Sequence, residues 1–293
     1  MDCLQEGQVD GIPGRKYLRE QIEDARGMPS KEALVRRLNF CEWTQASAPW
    51  ISWDVWAEAQ QSARMALLRN RPCVAGLDLA STTDLTSLVL LFYPTYEDPH
   101  WRLLPYFWIP DHQLEERERR DKVPYLAWIK AGHLETTPGR AISKLHVLRR
   151  MQTVCDYFQV MKIAYDRWRI EDLKALMDDY GIELPDLAPF GQGFKDMGPA
   201  VDEFERRLLG TEGAQEEDMS AIETLRHDGN PVMTWCAGNT VVVSDPSNNR
   251  KPDKAKATGR IDGIVAAIMA TGISGAVSAA NLGTSIYDEG VGL

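Results

Sequence analysis

One run of residues constrains this chain more than any other. Cys73-Val74-Ala75-Gly76-Leu77-Asp78-Leu79-Ala80 is apolar at nearly every position. A strand made of it needs cover on both faces, as at the centre of a sheet sandwiched by helices. The exception is Asp78, whose carboxylate is costly to bury unless a cation or hydrogen-bond donors compensate it. Bonding to the adjacent Ser81-Thr82-Thr83 turn would account for it equally well. Leu85 to Phe92 and Trp101 to Ile109 read as two further strands after short turns, which predicts an antiparallel meander.

The rest of the chain alternates. Helical patterns occupy 111–130 and 142–158, Lys162 to Asp166 is a short strand, and Ile170, Leu173, Leu176 and Met177 mark a helix. A strand at 186–190 precedes Gly191-Gln192-Gly193. Glu203 to Leu209 is helical, Thr240 to Ser244 extended, and 262–271 a compact apolar helix ending near Gly272. This order predicts an α/β fold, a mixed sheet flanked by helices.

Residues 1–70 lack a strand-like run, with Tyr17, Leu18, Ile22 and Ala25 at helical spacing. They read as an N-terminal helical arm with a boundary near residue 70. Trp43, Trp50, Trp53 and Trp56 in that arm form either a docking surface or a satellite core under a helix. The Gly-rich segment 274–293 reads as a flexible tail.

Composition removes several function classes. Five cysteines without a Cys-x-x-Cys pair, and five scattered histidines, argue against thiolate zinc sites and histidine metallochemistry. The N-terminus lacks the basic-then-apolar order of a secretory signal, which predicts a cytoplasmic location. There is neither a Gly-x-x-x-x-Gly-Lys-Ser/Thr loop nor a Gly-x-Ser-x-Gly elbow, so neither ATP hydrolysis nor that serine chemistry is expected. A net charge of −10 disfavours non-specific coating of nucleic acid. Basic residues are nevertheless concentrated locally, with seven Lys/Arg against four Asp/Glu in 141–175 and five against two in 249–262. Lys254, Lys256 and Arg260, then Arg167 and Arg169, are candidate phosphate contacts, although solvated helix faces produce similar runs.

Two further aspartates share the character of Asp78. Asp166 ends a short strand and Asp262 opens an apolar helix; helix capping is the alternative explanation of each. Three carboxylates brought to one sheet edge repel unless divalent cations lie between them, and oxygen donors select magnesium or manganese. Two such ions about 4 Å apart suit phosphodiester hydrolysis. Asp84, across the turn from Asp78, is a possible fourth ligand or simply a turn residue.

Five blocks together resemble the C-terminal nuclease domain of the tailed-phage and prophage terminase large subunit. They are Gly76 to Thr86, Ala164-Tyr165-Asp166-Arg167-Trp168, Phe190-Gly191-Gln192-Gly193-Phe194, Asn230 to Trp235 with Asn239, and Gly259-Arg260-Ile261-Asp262-Gly263. The resemblance implies a ribonuclease H-like fold and cleavage of concatemeric double-stranded DNA in the bacterial cytoplasm. It implies two ions, Mg2+ or Mn2+, with Asp78 bridging both and Asp166 and Asp262 each holding one side. It also implies that residues 1–70 are the linker from an ATPase domain absent from this chain, that 71–273 are the nuclease domain, and that the ATPase domain, small terminase subunit and portal protein are partners. Another ribonuclease H-like nuclease, such as a resolvase, and a non-catalytic docking module are the rival readings.

Overall fold

The strand that carries Asp78 lies in the middle of the sheet. A computed structural model of the chain describes residues 14–26, 28, 35, 49–80, 82, 84–167, 171–210 and 224–281. Strand β1 (Pro72–Asp78) pairs antiparallel with β2 (Thr86–Phe92), and β2 antiparallel with β3 (Trp101–Pro110). On its other edge β1 runs parallel to β5 (Gln159–Asp166), which runs parallel to β6 (Asp186–Phe190). The expected meander and the two later strands therefore form one mixed sheet.

Two short strands that periodicity does not reveal, β4 (Glu135–Thr137) and β7 (Leu225–His227), lie parallel to opposite ends of β3 and complete a seven-stranded sheet. A separate hairpin joins β8 (Val242–Ser244) to β9 (Arg250–Pro252).

The helices are α1 (Arg15–Ala25), α2 (Trp53–Glu58), α3 (Met65–Leu68), α4 (Leu114–Asp121), α5 (Tyr125–Lys130), α6 (Lys144–Tyr157), α7 (Glu171–Tyr180), α8 (Phe194–Leu209), α9 (Pro231–Asn239) and α10 (Asp262–Asn281). Alternation along β1 divides them into two layers. Cys73, Ala75 and Leu77 pack with Val147, Leu148 and Met151 of α6. Val74 faces the opposite layer, built from α8, α9 and α10. Among the described residues, no helix is long and apolar enough to cross a membrane.

Three expectations need revision. The helical stretch 111–130 is two helices, separated at Lys122, whose φ of 56° is left-handed and stops α4. The last helix does not end near Gly272 but continues to Asn281. At Gly272 the missing side chain makes room for the Phe190 ring, 2.5 Å from where a Cβ would sit, so this glycine serves packing. Helix, not tail, thus occupies 274–281, with Ser274 buried and its carbonyl accepting from the Tyr93 hydroxyl. Residues 282–293 lie outside the described residues.

The third concerns the tryptophans. Trp50 and Trp56 are buried in the α8–α10 layer, with Trp50 Nε1 donating to Glu205 (2.9 Å) and Trp56 Nε1 to Thr234 (3.1 Å). They are part of the main core, neither a satellite nor a free arm. Trp53 is exposed, and Trp43 lies outside the described residues.

Candidate functional site

Gly76 decides how closely α10 approaches the sheet. A Cβ there would overlap the Ala266 carbonyl oxygen and stand 3.0 Å from the Ala270 nitrogen, so only glycine lets the helix lie directly on β1. Asp78, two residues on, shares that face of the strand. The helix begins at Asp262, and Ser87, the register partner of Asp78 on β2, donates its hydroxyl to the Asp262 carbonyl at 2.8 Å. Asn239 steadies the preceding loop: its Nδ2 donates to the Arg260 carbonyl, and its Oδ1 accepts from Thr258. Two residues far apart in sequence are thereby set side by side at the end of β1.

Both carboxylates are buried, Asp78 at 5 % and Asp262 at 4 % exposure. Lys254 lies between them, its Nζ 2.8 Å from Asp78 Oδ2 and 2.8 Å from Asp262 Oδ1. The lysine is presented by a turn after β9, in which the Asp253 side chain accepts from the Ala255 N–H at 2.9 Å. Burial pushes the Asp78 carboxyl up to about 6, a rise that Lys254 opposes and Asp262 reinforces. Burial works against the Lys254 ammonium too, but the two carboxylates outweigh it and hold it above its ordinary value. At Asp262 the capping role that competed with the functional one is not filled. Asp262 does not cap α10, since the Ile261 carbonyl accepts the first N–H groups and the Asp262 side chain turns to Lys254.

Asp166 ends β5 opposite Phe190 of β6. It lines a cavity of about 520 Å³ together with Gln192, Gly193, Met197, Lys251, Lys254 and Val265. Between it and α7, which starts at Glu171, residues 168–170 lie outside the described residues. The structure therefore joins Asp78 and Asp262 through Lys254 and puts Asp166 on the wall of a cavity that the same lysine lines. Among the described residues no three acidic, histidine or cysteine side chains form a compact metal-holding group. The donors nevertheless fit a hard divalent cation: they are carboxylate oxygens, and the buried pair already requires a cation beside it.

The remaining candidates are dispersed. Asp84 pairs with Arg260, which also reaches Asp121 (3.3 Å) and the Tyr125 hydroxyl (3.3 Å). That arginine is engaged in holding the loop before Asp262, and Asp84 is drawn to it. Arg167 is half-exposed and pairs with Asp196 at 3.2 Å. Lys256 is exposed on the Lys254 turn, and Arg169 lies outside the described residues. Two cavity residues escaped sequence reasoning, Lys251 and Gln192. Lys251 belonged to a basic run that was visible but undivided, and Gln192 to the Gly191-Gln192-Gly193 block, which had no assigned chemistry.

Comparison with known proteins shows the family of the chain. Residues 13–276 match the family model for the terminase large subunit, endonuclease domain. The large terminase subunit of Enterobacteria phage HK97 is 41 % identical over 257 residues, covering 88 % of this chain and 47 % of that protein. Protein YmfN of Escherichia coli strain K12 is 27 % identical over 271 residues, covering 88 % and 55 %. The crystal structure of the HK97 large terminase superposes with a TM-score of 0.68 at 40 % identity, covering 89 % of this chain and 51 % of that one. The chain thus spans about half the length of the curated relatives it matches. By a family match along most of its length and by its identity to the HK97 protein, the chain belongs to the terminase large subunit family, in the region of its endonuclease domain.

Proposed function

We propose that this chain is a metal-dependent endonuclease that cuts double-stranded DNA during viral genome packaging. The observation that carries the reading is the buried Asp78–Lys254–Asp262 arrangement at the end of the central strand. A fold has little structural reason to bury two carboxylates around one ammonium, whereas phosphodiester hydrolysis needs such oxygen donors. Asp78, Asp262 and Asp166 would hold the divalent cations, Mg2+ or Mn2+, which when bound supply an activated water and neutralise charge at the leaving oxygen. Lys254 bridges Asp78 and Asp262 and holds the two carboxylates together, and Lys251 places positive charge on the cavity wall, where a DNA phosphate would approach. The ATPase domain, the small terminase subunit and the portal protein are the expected partners, in the cytoplasm of a bacterial host.

The docking-module alternative relied on the tryptophan cluster, and burial removes Trp50 and Trp56, two of its four members, from that surface. The family match favours a terminase over a resolvase.

The test is nicking of supercoiled plasmid with Mg2+, Mn2+ or chelator. Metal-dependent cutting by the parent chain is expected, with a loss of at least about 100-fold in Asp78→Asn. The substitution preserves size and removes charge, so the thermal transition should persist. Full activity in that variant would sink the assignment.

A further inference from the structure

Gln192 carries an unanswered hydrogen-bond donor. Its Nε2 is buried and has no partner among the described residues, in the cavity that also contains Asp166, Lys251 and Lys254. Buried amide groups are nearly always bonded, and an idle one at a site points to an absent acceptor. The local chain holds the residue there. Phe190 pairs in register with Asp166, so Gln192 follows directly beyond the end of β6, beside the carboxylate. Before it, Gly191 has no room for a Cβ because the Arg167–Asp196 pair lies across it, with Arg167 Nη2 only 2.7 Å from where that Cβ would sit. After it, Gly193 has no atom of the described residues within 4 Å of an added Cβ. The backbone is thus crowded just before Gln192 and open just after it.

The neighbouring cations do not replace it. The Lys254 ammonium is committed to Asp78 and Asp262, and the Lys251 ammonium stands over the Phe194 ring, 5.0 Å from its centroid. We propose that the Gln192 side-chain amide donates a hydrogen bond to a phosphate oxygen of the DNA strand lying in this cavity, fixing the strand against Asp166. This deepens the nuclease reading and rests on it for the identity of the acceptor. A neutral donor at a phosphate oxygen positions a strand without reading its sequence, which suits an enzyme with little base preference.

The experiment compares the parent chain with Gln192→Leu and with the near-isosteric Gln192→Glu, after confirming that each retains its thermal transition. Binding of a fluorescent duplex is followed by anisotropy in EDTA at several salt concentrations, Mn2+ binding by calorimetry, and plasmid cleavage in Mn2+. Gln192→Leu should weaken duplex binding about 3- to 10-fold and cleavage by more, with the salt slope unchanged because no charge is lost. Mn2+ affinity should stay within about twofold, since the amide is not a metal donor. Gln192→Glu should weaken duplex binding further, through repulsion of the phosphate. Unchanged binding and cleavage in both variants would overturn the proposal, showing the amide to be hydrated; so would a loss confined to Mn2+ affinity. A parent chain that binds duplex DNA and loses affinity in both variants, yet cuts nothing in any metal, would retire the nuclease reading and leave the phosphate contact standing.

Discussion

Lys254 is the counter-charge on which the metal-free site depends. Replacing it with methionine leaves two buried carboxylates facing each other without compensation, the situation in which removal of one ion-pair partner is most damaging. Half the lysine side chain is exposed, which softens the cost to about 2 kcal/mol. We expect Lys254→Met to lower the melting temperature in chelator by several degrees, and added Mn2+ to restore more stability than it adds to the parent. Equal melting curves in chelator would show that the lysine does not hold the pair. Asp98 tests the same physics away from the site. Burial alone would raise its carboxyl, but bonds from Arg102 and Arg71, the latter at 2.7 Å, outweigh burial and hold it at about 2. A pKa lowered by folding contributes stability above the unfolded value of about 4, and that stability is lost as pH falls toward 2. Asp98→Asn should therefore cost about 2 kcal/mol at pH 7 and almost nothing at pH 2, read from urea unfolding at the two pH values.

The relation of α10 to β1 rests on Gly76. An added methyl group would meet the Ala266 carbonyl, so the helix must rise or tilt, carrying Asp262 away from Asp78. Gly76→Ala should cost about 2 kcal/mol as overpacking and should depress plasmid cleavage far more than such a loss of stability explains; unchanged cleavage would mean that the two aspartates do not need this spacing. This contact also shows what sequence reading can reach. Asp78 and Asp262 were legible because a carboxylate beside a continuous apolar run conflicts with its surroundings. The three-residue strands β4, β7 and β9 were not, being too short to show an alternation. Nor was the engagement of Arg260 by Asp84 and Asp121, because a loop arginine carries no mark of which distant acid will meet it. Lys254 was visible as a cation near Asp262, but its place between two carboxylates depends on the turn that Asp253 organises.

The sequence suggests a boundary near residue 70, where helical texture gives way to strands, yet packing crosses it without a break. Trp50, Ile51, Trp56, Ala59 and Leu68 are all buried, and Trp56 stacks on His227 with ring centroids 4.1 Å apart. The backbone is joined as well: Trp50 N–H donates to the Thr240 carbonyl at 2.8 Å, and His227 N–H to that of Ala59 at 3.1 Å. Through Trp50 and Glu205 the segment also reaches Arg250 of β9, whose Nη1 lies 2.5 Å from Glu205 Oε2, so it supports the hairpin from which the Lys254 turn departs. Removing two tryptophans, an isoleucine and a leucine from the core forfeits about 10 kcal/mol of burial, as much as the whole net stability of a typical domain. A chain beginning at residue 71 should consequently show no cooperative thermal transition and should bind a hydrophobic dye, whereas one beginning at residue 49 should melt cooperatively. Cooperative melting of the shorter chain, with cleavage intact, would restore the boundary at 70 and make residues 49–70 a dispensable arm.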